Sequence, residues 1–106
     1  AAASGMPVIA TNWSGHLDFL GDSFAKVDYD LVDVNKSRID SRVFVEGAKW
    51  ANLKEKEFKE KLMTVFKDCK KYQKDAKKHQ RYVVGNFSKE AVLKMYDNFF
   101  NSLNLV

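Results

Sequence analysis

The sequence predicts an α/β fold in which a short parallel sheet is covered by C-terminal helices. An almost continuous apolar run, Met6–Thr11, is typical of a strand that is buried on both faces, as in a parallel sheet. Between residues 53 and 103, three successive stretches carry apolar side chains at helical spacing. With 106 residues, 45% of them hydrophobic and 30% charged, the chain has the composition of one globular domain or of part of one.

The first five residues, Ala1–Gly5, are typical of the last turn of a helix that ends at a glycine. The chain does not begin with methionine, and a helix that starts at residue 1 lacks its cap, so we expect a fragment of a longer protein. Pro7 then suits the first position of a strand, where its missing N–H does least harm. Helix, glycine turn and buried strand together form half of an α/β unit.

The strand is followed by turn-forming residues, Asn12–Gly15. Ser14 or Asn12 is expected to cap a short helix that runs through Leu20 and ends at Gly21. Ligands of open α/β sheets bind beyond the carboxyl ends of the strands. This loop is therefore the segment best placed to contact a ligand.

Residues 24–34 are expected to form an edge strand with an extended tail, because Tyr29 and Leu31 hint at alternation that three aspartates interrupt. We expect all strands to lie between about residues 7 and 34. Residues 35–42 are polar and predict a surface loop, and Val43–Val45 predicts a brief extended piece.

The C-terminal half is predicted to be helical over about residues 53–103. Asn52 and Glu55 have the spacing of a capping box at the start of the first helix. Gly85 and Asn86 are expected to end the second helix, and Ser88 to cap the third. The apolar stripes of the three helices are expected to cover the sheet; they comprise Phe58, Leu62, Val65, Phe66 and Cys69, then Tyr72, Ala76, His79 and Val83, and then Val92, Met95 or Tyr96, Phe99 and Leu103.

Composition excludes several classes of function. No apolar run is long enough to span a bilayer, and no signal peptide is evident, which favours a cytoplasmic location, peripheral to the membrane at most. The single cysteine, Cys69, can form neither an internal disulfide nor a cysteine cluster, and we expect it to be buried as a small hydrophobic residue. His79 is expected to be a core or boundary residue, because it falls on the apolar stripe of the second helix. No spacing of ligating residues indicates a metal site, and no cofactor is expected.

Five segments resemble retaining glycosyltransferases of the GT-B type, which have two Rossmann-like domains. Ala1–Thr11 resembles the family's alanine-rich segment, with its Gly and Pro before a Val/Ile strand, and Asn12–Leu20 resembles the continuation. Val27–Val32, Lys49–Ala51 and Phe87-Ser88 are similar to further positions of the family. The resemblance covers nearly the whole chain and is most specific over the first 20 residues.

The resemblance implies a Rossmann-like half-domain that belongs to the donor-binding domain of an enzyme transferring a sugar from a nucleotide-sugar to a glycan or lipid-linked acceptor. The donor-binding residues that it suggests are Asn12, Trp13, Ser14, Gly15 and His16. The family's two donor-site glutamates precede the position of Ala1, so the chain itself carries no catalytic residue of that pattern. Its partners would be the nucleotide-sugar, the acceptor and a missing N-terminal portion of the same protein. The isolated chain is expected to be inactive.

Two other interpretations remain open. Through Asn52 the chain has 5 basic and 7 acidic residues, whereas from Leu53 onward it has 13 and 7, so the basic excess lies in the helical half. That half could be a non-enzymatic module that binds an anionic membrane surface; nucleic acid is the less favoured partner, because the aromatic residues lie on the apolar stripes and are not interleaved with the lysines. Alternatively, the chain is a purely structural half-domain that completes a sheet supplied by other sequence.

Overall fold

The computed structural model describes residues 1–104 and shows a mixed α/β arrangement, as the sequence predicts. A 3-10 helix at Ala2–Ser4 precedes the first strand, and a second lies at Lys36–Arg38. The strands are β1 (Ile9–Thr11), β2 (Ala25–Val27), β3 (Tyr29–Asp33) and β4 (Lys49–Leu53). The α-helices are α1 (Leu17–Leu20), α2 (Glu55–Lys67), α3 (Cys69–Phe87) and α4 (Lys89–Ser102).

Strands β1 and β2 form a parallel pair that centres on Ala10 opposite Lys26. The turn before them ends as predicted: Gly5 adopts φ 70° and ψ 23°, the left-handed conformation that closes a helix end. Strand β1 is half-buried and begins at Ile9 instead of Pro7, so the expected burial on both faces is not met. Strand β2 buries one face, through Ala25 and Val27. The parallel element of the prediction is confirmed.

Strands β3 and β4 form a separate antiparallel pair, in register from Tyr29 opposite Leu53 to Asp33 opposite Lys49. Strand β4 is not among the strands predicted from the sequence, and the capping box predicted at its end is wrong. Asn52 lies within the strand, and the N-terminal cap of α2 is Lys54, whose side chain makes no capping bond. Five backbone pairings with β3 outweigh the one capping contact that the Asn-to-Glu spacing offers.

The connection between β3 and β4 is organised by two acceptor side chains. The Asn35 side chain accepts a bond from the Ser37 backbone N–H at 3.0 Å and caps the second 3-10 helix. The Asp40 carboxylate accepts the backbone N–H groups of Arg42, Val43 and Phe44 at 3.0, 2.9 and 3.0 Å. These three bonds favour the ionised form and lower the pKa of Asp40 below its ordinary value. The extended piece expected at Val43–Val45 is thus replaced by a turn that wraps around Asp40.

Helix α3 runs straight through Gly85 and Asn86, where the sequence analysis wrongly expected a break. Two tertiary contacts hold the last turn: Val83 is buried, and the Phe87 ring lies 6.4 Å from the Phe19 ring. Packing of this kind outweighs the cost of about 1 kcal/mol for a glycine in a helix. The predicted cap of α4 is confirmed, since Ser88 Oγ accepts the Ala91 backbone N–H at 3.2 Å.

The core is small and lies between the β1–β2 pair and the helices. Its buried members are Leu20, Phe24, Ala25, Val27, Val34, Ala76 and Val83. Helices α2 and α4 bury no residue completely, and α4 packs on α3 with most of its stripe half exposed, so the expectation that all three helices cover the sheet is only partly met. Cys69 is exposed at the start of α3, which corrects the expectation that it is buried.

The molecule is a thin slab. Its principal extents are 53 × 42 × 16 Å and its radius of gyration is 17.8 Å, against about 13 Å for a compact chain of this length. The solvent-accessible area is 8551 Å², whereas a compact protein of 12.2 kDa exposes about 6,100 Å². The excess is about 2,500 Å², and it includes apolar side chains such as Phe66 (77% exposed).

Candidate functional site

The predicted donor-binding loop, Asn12–His16, lies at the carboxyl ends of the parallel strands. The Asn12 backbone N–H donates to the Val27 carbonyl oxygen at 3.0 Å, which continues the β1–β2 pairing by one residue before the chain turns away. The Asn12 side chain is exposed. The loop therefore has the position at which open α/β sheets bind ligands.

The centre of the loop is exposed and conformationally unusual. Ser14 adopts φ 81°, a left-handed conformation that costs a non-glycine residue about 1 kcal/mol. Gly15 has an ordinary φ, and a Cβ atom added there would meet nothing within 4 Å. Within residues 1–104, the backbone N–H groups of Trp13, Ser14, Gly15 and His16 donate to no protein acceptor. The strained residue thus belongs to a stretch of four residues whose backbone N–H groups have no acceptor in the part of the chain that the structure describes.

His16 has a structural role in this loop. Its Nε2 donates to the Thr11 carbonyl oxygen at 2.6 Å, in the tautomer that carries the proton on that nitrogen. The imidazole also packs edge-on against the Phe24 ring, with centroids 6.1 Å apart. His16 is the N-terminal cap residue of α1 but makes no side-chain capping bond, and neither Ser14 nor Asn12 caps that helix as predicted. The end of α1 at Gly21 is as predicted.

Trp13 is half-buried and packs against Tyr29 of β3, with ring centroids 5.9 Å apart and planes inclined by 43°. This contact links the loop to the antiparallel pair. The structure thus shows packing against the protein for a residue that the resemblance suggests is donor-binding.

The loop offers groups that suit the binding of a ligand. It offers four backbone N–H donors, the Asn12 amide and the Ser14 hydroxyl, all of which suit an anion or sugar hydroxyls. It contains no carboxylate that could act as an acid or base. No group of three or more metal-ligating side chains occurs within residues 1–104.

A separate groove lies elsewhere in the molecule. It has a volume of about 620 Å³ and is lined by Pro7 and Val8 before β1, by residues 20–24 before β2, and by α3. It therefore opens at the amino ends of the parallel strands, and none of the five predicted residues lines it. Its polar lining includes Asp22, whose hydrogen bond and ion pair with Lys26 lower its pKa.

The α3 wall of this groove could have been found in the sequence. Ala76 lies between Tyr72 and His79 on one helical stripe. Because alanine is much smaller than the two ring-bearing residues, the helix surface is concave at this position. His79 is half-buried, donates from Nε2 to the Phe19 carbonyl oxygen at 2.6 Å and stacks on Tyr82 at 5.4 Å. It lies at the edge of the core, as predicted.

Comparison of the chain with protein-family models, with curated proteins and with solved structures found no match. Within residues 1–104, no helix combines the length and the hydrophobicity that crossing a membrane would require.

Proposed function

We propose that the chain is part of the donor-binding domain of a GT-B glycosyltransferase that moves a sugar from a nucleotide-sugar to a glycan or lipid-linked acceptor. The observation that carries the proposal is the loop Asn12–His16, which contains four backbone N–H groups without an acceptor among residues 1–104 and lies at the carboxyl end of a parallel strand. A nucleotide-sugar has a diphosphate, and diphosphates are bound by clustered backbone donors of this kind.

The order of elements supports the same proposal. A helical turn that ends at Gly5, the short strand β1, a turn-rich loop and the short helix α1 follow one another as the resemblance implies. A Rossmann-like half-domain would contain the parallel pair β1–β2 as the edge of a larger sheet. The antiparallel pair β3–β4 and the helices would then stand beside that edge.

The exposed surface supports a partner within the same protein. A chain with about 2,500 Å² more exposed area than a compact protein of its size has enough surface for a large obligate interface. In the proposed enzyme, an N-terminal portion covers part of this surface and supplies the two glutamates of the donor site. The chain alone would bind donor weakly and transfer no sugar.

A charge substitution in the loop tests the proposal. In the polypeptide that contains this chain, Gly15→Asp places a carboxylate among the four donors without a steric clash, because a Cβ at Gly15 meets nothing within 4 Å. At about 6 Å from a phosphate charge, the repulsion is about 1–3 kcal/mol, so binding of a nucleotide-sugar should weaken by about 5- to 150-fold. Calorimetric titration with UDP-glucose, GDP-mannose and ADP-glucose measures the change.

Two controls make the result specific. Gly15→Asn adds nearly the same volume without charge, and we expect it to leave affinity within about threefold of the original. Gly85→Asp adds the same charge in α3, where a Cβ is also unobstructed, and should leave binding unchanged. Equal losses in Gly15→Asp and Gly85→Asp, or no binding of any nucleotide-sugar by the parent polypeptide, would overturn the proposal.

A further inference from the structure

The outward side of α3 carries a continuous stripe of positive charge. On a helical projection, its six basic residues fall within about 120° of arc, opposite the buried Ala76 and Val83. All six are exposed; this basic stripe consists of Lys70, Lys71, Lys74, Lys77, Lys78 and Arg81. The helix has only one acidic residue, Asp75, and it lies outside this arc. The stripe extends about 17 Å along the helix axis.

None of the six cations of the basic stripe forms an ion pair within the described residues. The four ion pairs found within residues 1–104 involve Lys26, Lys49, Lys56 and Lys59, none of which belongs to α3. The contrast with α2 is clear, because there Glu55 and Glu60 each face a lysine one turn away. A row of unpaired cations on one side of a helix repels itself unless an external anion neutralises it.

The residues at the margins of the stripe indicate what kind of anion it fits. Tyr82 (49% exposed) lies at one margin and Val84 (51% exposed) at the other. A tyrosine beside a line of lysines is typical of protein surfaces at the membrane–water boundary.

We propose that the basic stripe of α3 adsorbs the protein to the surface of a bilayer that contains anionic lipid. Nucleic acid fits less well for two reasons. Five of the six cations are lysines, which act as point charges and lack the bidentate phosphate geometry of arginine. The arc itself contains no aromatic ring on which a base could stack, and the ring at its margin, Tyr82, already stacks on His79 with ring centroids 5.4 Å apart. The inference does not depend on nucleotide-sugar binding at Asn12–His16, because the two surfaces share no residue.

Vesicle binding by matched charge variants tests this inference. The 106-residue chain is sedimented with vesicles of phosphatidylcholine containing 30% phosphatidylserine, in 0.1 M NaCl, and with vesicles of phosphatidylcholine alone. The variant K70Q/K74Q/K77Q should lower the partition coefficient about 100-fold, since each lysine near an anionic surface contributes about a fivefold factor. The control K56Q/K59Q/K67Q makes the same change in net charge, from +4 to +1, on α2 and should stay within about threefold of the original.

Lysine and glutamine have similar helix propensities, so circular dichroism should show the same helix content in all three chains. Binding should also fall steeply as NaCl is raised. The proposal is overturned if both triple variants lose binding equally, if phosphatidylcholine alone binds the chain as well, or if a 20-base-pair DNA duplex binds more tightly than the anionic vesicles at the same salt concentration.

Discussion

Replacing Gly5 by alanine tests the link between the N-terminal turn and α3. Gly5 has φ 70°, and a Cβ built there would lie 2.8 Å from Gln80 Oε1. Gln80 is held in place by a 2.9 Å hydrogen bond from its Nε2 to the Ala3 carbonyl oxygen. Because the close atom is the end of a flexible side chain, the amide swings away and this bond is lost.

The expected loss of stability in Gly5→Ala is the sum of a backbone strain and a lost hydrogen bond. The left-handed conformation costs alanine about 1 kcal/mol, and loss of the exposed hydrogen bond costs about 0.5–1 kcal/mol. Gly5→Ala should therefore lower the free energy of unfolding by about 1.5–2 kcal/mol, and Gln80→Ala alone by about 0.5–1 kcal/mol. The double variant should be no less stable than Gly5→Ala, because the hydrogen bond can be lost only once.

Urea unfolding followed by circular dichroism at 222 nm measures all four chains. The expected coupling free energy between the two sites is about 0.5–1 kcal/mol. If the losses from the two single substitutions simply add in the double variant, Gln80 does not respond to a side chain at residue 5 and the reasoning is wrong. Unchanged stability in Gly5→Ala would refute the assigned backbone strain as well.

Three further predictions concern local structure. Ser14→Gly should raise the free energy of unfolding by about 0.5–1 kcal/mol in the same assay, because glycine adopts φ 81° without strain, and a loss of stability would contradict this. The pKa of Asp40 is lower in the folded chain than in the unfolded chain, so its three hydrogen bonds stabilise the loop above the unfolded pKa and are lost as pH falls through the lowered pKa. The three bonded amides should therefore shift in NMR spectra below about pH 4. An Asp40→Asn chain should not show this transition. Ser88→Ala should lower the free energy of unfolding by about 1 kcal/mol and increase amide hydrogen exchange in the first turn of α4. Ser102→Ala, at the other end of that helix, should leave this exchange unchanged.

Local signals in the sequence predicted local structure well. Gly5 and Gly21 ended helical turns because a residue without Cβ is favoured where φ is positive. Ser88 capped a helix because its hydroxyl can reach the third residue of the first turn, and it does so at 3.2 Å. These effects depend on a few neighbouring residues, so the sequence contains all the information that they require.

Signals that depend on distant partners were misread. Strand β4 was missed because its pairing partner, β3, is about 20 residues away and the segment between them carries no hairpin turn signature. The break expected at Gly85 did not occur because Phe87 contacts Phe19, nearly 70 residues earlier. In the candidate site, the position of the loop at the strand ends was predictable from order alone. The use of His16 to bind the Thr11 carbonyl oxygen was not, because it depends on the angle at which the loop turns.

The helical stripes show a different limit. Helical spacing correctly identified an apolar face on α4, yet Met95, Tyr96 and Phe99 are 51%, 58% and 57% exposed. Periodicity reports which side of a helix avoids water, but it does not say whether the covering surface belongs to the same 106 residues. The proposed donor domain and the proposed membrane contact assign these surfaces differently: the first covers apolar faces with protein, and the second places the charged face of α3 against lipid. Because the basic stripe lies opposite the buried side of α3, both assignments can hold in one molecule, and the charge variants at Gly15 and on α3 test them separately.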